Sequence, residues 1–189
     1  MSVLQGRIVN GVEAAPGEFP HQVSLRANGY HQCGASILNQ YWVVTAAHCV
    51  EVPNTYDVLA GTNIVTDGGT KHSVTDITSH RDYDPNDSWI NDIAVLKVSP
   101  AFPIDGITVA PIQLPEQGEQ VPDGANVTVI GWGDLWGDSG GPLLYEGKIV
   151  GMVSWSYECA APPYPSVGTR VSSYVDWIID NTNGTLVPH

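Results

Sequence analysis

Three side chains that could share one reaction stand far apart in the chain: His48, Asp92 and Ser139. Ser139 lies in Gly137-Asp138-Ser139-Gly140-Gly141-Pro142. The glycines take away Cβ atoms where the backbone must turn tightly, which leaves a hydroxyl exposed beside backbone N–H groups. Such a turn can present a nucleophile and stabilise an oxyanion. A serine hydroxyl is a weak nucleophile unless a base takes its proton, and the base needs a group to orient it. His48 supplies a base in Thr45-Ala46-Ala47-His48-Cys49, after the apolar run Tyr41-Trp42-Val43-Val44. Asp92 supplies the orienting acid at the mouth of a second apolar run, Ile93-Ala94-Val95-Leu96. Taken singly, each piece also reads as something plainer: a glycine-rich hairpin, a loop imidazole, a solvated strand-end acid.

Taken together the pieces are specific. The chain resembles the trypsin/chymotrypsin family of serine endopeptidases, whose triad runs His, Asp, Ser in sequence. The resemblance is carried by Arg7-Ile8-Val9-Asn10-Gly11, Cys33-Gly34-Ala35-Ser36, Thr45–Cys49, Asn91–Leu96, Gly131-Trp132-Gly133, Gly137–Leu143, Ser154-Trp155 and Thr169-Arg170-Val171. It implies that Ser139 attacks a peptide carbonyl, that His48 moves its proton, and that Asp92 fixes the imidazole. It implies an oxyanion hole from the N–H groups of Gly137 and Ser139, and a strand at Ser154-Trp155-Ser156 along which substrate lies. It also implies activation by cleavage after Arg7, the freed Ile8 amine pairing with Asp138. The nearest Lys or Arg to Asp138 in sequence is Lys148, so the carboxylate has no cation among its close chain neighbours. A buried carboxylate is costly without a cation. Solvation of Asp138 in a loop is the alternative.

The three cysteines are an odd number. The resemblance pairs Cys33 with Cys49 and leaves Cys159 a free thiol, because Leu135 stands where that cysteine's partner would be. A buried inert thiol and an intermolecular disulfide are both open for Cys159.

Net charge of −13 argues against nucleic acid or an anionic membrane as partner. No apolar run is long enough to span a bilayer. Hydrophobic content of 42% with only 14% charged residues fits a globular chain, and 20 glycines and 14 prolines fit many short strands joined by turns. Met1–Gly6 is too short and polar for a secretory signal, whereas the resemblance implies a secreted, extracellular protein. The implied partners are protein or peptide substrates, an activating protease and protein protease inhibitors, with the chain a monomer.

These catalytic groups need a rigid frame. Alternation and turn residues predict strands at Gln22–Arg26, Ser36–Leu38, Trp42–Thr45, Asp57–Ala60, Ser73–Ile77, Ile93–Val98, Asn126–Ile130, Pro142–Tyr145, Ile149–Ser154 and Val167–Val171. Ser172-Ser173 is read as the cap of a short helix over Tyr174–Ile179, with Asn183-Gly184 past its end. The expected fold is all-β: two antiparallel barrels of chymotrypsin type and a terminal helix. Residues 1–7 read as a propeptide remnant, 8–112 as the first barrel and 113–189 as the second. The Thr62–Lys71 loop contains one acid, Asp67, too few oxygen ligands for a hard cation, so neither a metal nor a cofactor is expected.

One departure stands out. Only Asp134-Leu135-Trp136 separates Gly133 from Gly137, where the family has several dozen residues, including two strands of the second barrel and part of the specificity pocket. The second barrel is therefore expected to be truncated, with Trp132, Leu135 and Trp136 placed to cover part of the gap. Ser156 and Ser166 stand at pocket positions that are usually glycine and would narrow the slot. No acid stands six residues before Ser139, so cleavage after Lys or Arg has no support, and a small or medium apolar side chain fits better. A second reading stays open: an inactive relative or truncated isoform that keeps the triad and acts as a binding module.

Overall fold

The computed structural model describes residues 11–132, 138–156 and 166–184. Six strands close into a barrel in the order β1-β2-β3-β6-β5-β4. They are β1 (Gln22–Ala27), β2 (Tyr30–Ile37), β3 (Trp42–Thr45), β4 (Tyr56–Ala60), β5 (Thr70–Ser79) and β6 (Ala94–Ser99). Four more strands form an open sheet in the order β10-β9-β8-β7. These are β7 (Thr128–Val129), β8 (Pro142–Tyr145), β9 (Lys148–Ser156) and β10 (Ser166–Arg170). Helix α1 (Val175–Asn181) follows. Every pairing between neighbouring strands is antiparallel. The fold is thus all-β with one closed barrel, a smaller second sheet and a short terminal helix, as a truncated chymotrypsin-type chain should be.

The central strands are apolar on both faces, and the period of two sorts their side chains between two cores. Val43, Ala94, Leu96 and Val98 point into the barrel with Val23, Leu25, Ala35 and Val58. Their neighbours Trp42, Val44 and Val95 point the other way, onto Ile149, Met152, Val171 and Ile178 of the second unit. That second core clamps sheet and helix against the barrel wall. Each fully buried aliphatic side chain contributes about 1.5–3 kcal/mol relative to exposure.

Several sequence expectations need correction. Strand β2 starts at Tyr30, well before the expected Ser36, because Gly34 and Cys33 interrupt the apolar pattern without interrupting the pairing with β1. Strand β7 is two residues long, shorter than Asn126–Ile130. Ser172 and Ser173 do not cap the helix: they lie in a short 3-10 turn, and Tyr174 is the N-cap, with no side-chain capping bond. Trp132 does not cover the second sheet. Its indole N–H donates to the Asn63 carbonyl at 2.8 Å and its ring packs edge-on to His31, both residues of the first half. The expectations for Leu135 and Trp136 fall outside the described residues. Among the described residues no helix is long and apolar enough to cross a membrane.

Candidate active site

His48 is placed by three constraints. Strand β3 ends at Thr45, a 3-10 turn runs over Ala47–Val50, and Cys49 is bonded to Cys33 of β2. The pairing implied by the resemblance is therefore present. The Gln32 side-chain amide adds a bond to the Cys49 carbonyl at 3.0 Å.

Asp92 stands two residues before β6 and is fully buried. Its carboxylate takes hydrogen bonds from three donors. His48 Nδ1–H donates to Oδ2 at 2.8 Å and the His48 backbone N–H donates to Oδ1 at 2.9 Å. The Ser154 hydroxyl donates to Oδ2 at 2.5 Å. An ionised carboxylate can only accept, so His48 carries its proton on Nδ1 and leaves Nε2 free to accept one. Burial pushes the Asp92 carboxyl up, but the bonds from His48 and Ser154 outweigh it and hold the group below the usual carboxylate range. From behind, the Thr169 hydroxyl of β10 donates to the Asp92 carbonyl at 2.9 Å.

Ser139 sits in a turn closed by Gly141 N–H donating to the Asp138 carbonyl at 2.9 Å. Gly140 occupies the third position with φ +75°, the left-handed conformation that a type II turn requires there. The turn is held between barrel and second sheet: Gly34 N–H of β2 donates to the Ser139 carbonyl at 2.8 Å, and Gly140 N–H to the Val153 carbonyl of β9 at 2.7 Å. A Cβ on Gly140 would lie 3.2 Å from the Ala46 nitrogen, two residues before His48. The serine turn and the histidine turn thus meet at the same end of the barrel. Among the described residues no hydrogen bond joins Ser139 to His48, and Nε2 of His48 lies 3.6 Å from Cys49 Sγ.

Asp138 is half-buried. Its carboxyl packs on Gly131, where a Cβ would come within 2.8 Å of the Asp138 Cγ. Trp155 meets Trp89 with ring centroids 5.7 Å apart. Residues Ser154–Ser156 of β9 sit where pairing with β8 has stopped, at Met152, while pairing with β10 continues to Ser156. One side of this strand segment is therefore open among the described residues. Arg7, Ile8, Gly137 and Cys159 lie outside the described residues, as do the side chains of Ser156 and Ser166.

Sequence reasoning missed Thr169, and it read Ser154 only as part of a substrate strand. The Ser154 hydroxyl also faces Asp92, a contact across 62 residues that no local pattern announces. The close triplet Cys33, His48 and Cys49 brings metal-ligand atom types together, but both sulfurs are spent in the disulfide, so it does not fit a metal ion.

Comparison with known proteins agrees with this architecture. The family model described as Trypsin matches residues 8–136 and 135–178, in two pieces that meet where the chain is short. A trypsin of Phaedon cochleariae is 30% identical over 230 residues, covering 93% of this chain and 88% of that protein. Trypsin delta of Drosophila melanogaster is 31% identical over 230 residues, covering 94% and 89%. Trypsin alpha-4 of Lucilia cuprina is 32% identical over 227 residues, covering 93% and 88%. The first two alignments, at 230 positions, are longer than the 189-residue chain, so the relatives hold residues that it lacks. The chain belongs to the trypsin family of serine proteases.

Proposed function

We propose that this protein is a secreted serine endopeptidase that cleaves peptide bonds with Ser139, His48 and Asp92, made as a zymogen and activated by cleavage after Arg7. The observation that carries the reading is the double hold of buried Asp92 on His48, side chain and backbone together. It sets the tautomer that a general base needs. In the proposed reaction the Ser139 hydroxyl oxygen bonds to the substrate carbonyl carbon while its proton passes to His48 Nε2. The N–H groups of Gly137 and Ser139 take the resulting oxyanion. His48 returns the proton to the leaving amine as the C–N bond breaks, and water repeats the cycle on the acyl-enzyme. Substrate backbone pairs with the open side of Ser154–Ser156, a form of strand addition. Cleavage after Arg7 would free the Ile8 amine to pair with Asp138 and tighten the serine turn. Substrates are proteins or peptides, and protein inhibitors of this family's enzymes are further partners.

One observation favours a second reading, an inactive relative or truncated isoform that binds without cutting. The second sheet has four strands among the described residues and does not close. Open edges invite pairing with other chains.

The two readings part on one experiment. The chain is cleaved after Arg7 and exposed to a fluorophosphonate probe. Covalent labelling of Ser139, lost in His48→Ala, supports the endopeptidase. No labelling of folded, cleaved protein supports the binding module.

A further inference from the structure

The residues leading into Asp92 hold an unusual backbone. Ser88, Trp89 and Asn91 all have left-handed φ, at 54°, 53° and 57°. Asn tolerates that region best among non-glycine residues, but for Trp89 it is costly. Ile93 N–H also donates back to the Asn91 carbonyl at 2.8 Å, which closes a three-residue turn over Asp92 itself. Conformations of this kind persist only where the surroundings impose them.

The imposing contacts come from the far end of the chain. Tyr174, the N-cap of α1, donates its hydroxyl to Asn91 Oδ1 at 2.9 Å, a contact across 83 residues. The Asn91 amide then donates to the Asp82 carbonyl at 2.8 Å, so both ends of the side chain are committed. Tyr174 and Trp177 pack on His80, with centroids 5.5 and 5.3 Å away. His80 N–H in turn donates to the Ile93 carbonyl at 2.9 Å, just past the aspartate. Burial and the charge of Asp92 both raise the Tyr174 phenol, which keeps it a donor.

We infer that Tyr174 is a positioning residue for Asp92, acting through Asn91: the terminal helix holds the strained segment that aims the carboxylate at His48. This deepens the endopeptidase reading and rests on it for its catalytic part. The hydroxyl is the working group, because the ring alone would pack on His80 without fixing the Asn91 side chain.

The test compares Tyr174→Phe with Trp177→Phe in the full chain. The proton held between His48 Nδ1 and Asp92 at 2.8 Å is charge-assisted and is expected to resonate downfield of ordinary amides in proton NMR. Tyr174→Phe is expected to shift this signal upfield and speed its exchange with water. In the activated protein it should lower kcat about 10- to 100-fold with KM changed less than about twofold. Trp177→Phe removes packing but no hydrogen bond, and should lower the melting temperature while leaving the signal in place. An unchanged downfield signal in Tyr174→Phe overturns the inference, as does its absence from the wild-type protein. The signal needs no turnover, so this result stands apart from fluorophosphonate labelling of the wild type, which decides the endopeptidase reading.

Discussion

Gly140 rests directly on Thr45: a Cβ at position 140 would run into the Thr45 hydroxyl and come within 2.6 Å of the Gly34 carbonyl. Thr45 cannot swing away, because its hydroxyl donates to that same carbonyl at 2.8 Å. Gly140→Ala is therefore expected to destabilise the fold by about 2–4 kcal/mol, through the left-handed backbone and the overlap together. Urea melts read the loss. Probe labelling of the surviving folded fraction should slow as well, since relief of the overlap lifts Ser139 from the barrel.

Asp92→Asn keeps the shape and removes the charge. The amide can then donate to His48 Nδ1, which favours the opposite tautomer and places the proton on Nε2. Turnover of a peptidyl substrate should fall on the order of 10⁴-fold, with folding retained. Circular dichroism and a steady-state assay check the two halves. The same variant should flatten the acid limb of stability. The folded carboxyl sits below its ordinary value of 3.8, so its contribution is present above that value and is lost as pH falls through the folded pKa.

His21 gives a second pH dependence at milder acidity. It is 6% exposed, and its Nε2 has no hydrogen-bond partner among the described residues. Burial lowers its pKa from 6.5 to about 4. The unfolded chain therefore binds a proton more readily across that interval, and stability falls as pH drops from above 6.5 towards 4. The loss amounts to about 3 kcal/mol, and denaturant midpoints at a series of pH values should show it. His21→Phe should remove most of that slope.

The Cys33–Cys49 bond closes a loop of sequence separation 16. Reduction should cost about 3 kcal/mol by freeing the unfolded chain, read as a lower denaturant midpoint under dithiothreitol. Thiol titration of the unreduced, unfolded monomer should give one equivalent, assigned to Cys159.

The strand frame was legible where apolar residues ran together or alternated with polar ones. Trp42–Thr45, Pro142–Tyr145 and Gln22–Arg26 were placed within a residue, because strands buried on one or both faces leave a clear pattern. Tyr30–Ala35 was not, since glycine and cysteine mask a strand whose pairing is set by its neighbour. Capping was misread for a similar reason: Ser172 and Ser173 are good caps by type, yet the chain uses them in a preceding 3-10 turn. At the site, residue types and order pointed to His48 and Asp92 before any geometry was known. What the sequence could not disclose were the contacts made across long separations. The hydroxyls of Ser154, Thr169 and Tyr174 reach Asp92 or its neighbour from 62, 77 and 83 residues away. Such contacts depend on how the second unit settles on the first, which periodicity does not encode.

Gly131 receives the Asp138 carboxyl on its bare α-carbon, and the stretch in which relatives are longer begins almost beside it. Segment length at that point therefore bears directly on the serine turn. Grafting a longer relative's segment between residues 132 and 138 would alter the chain on which the serine turn rests, and would leave untouched the hydroxyls of Ser154 and Thr169 that bond Asp92 and that of Tyr174 that bonds Asn91.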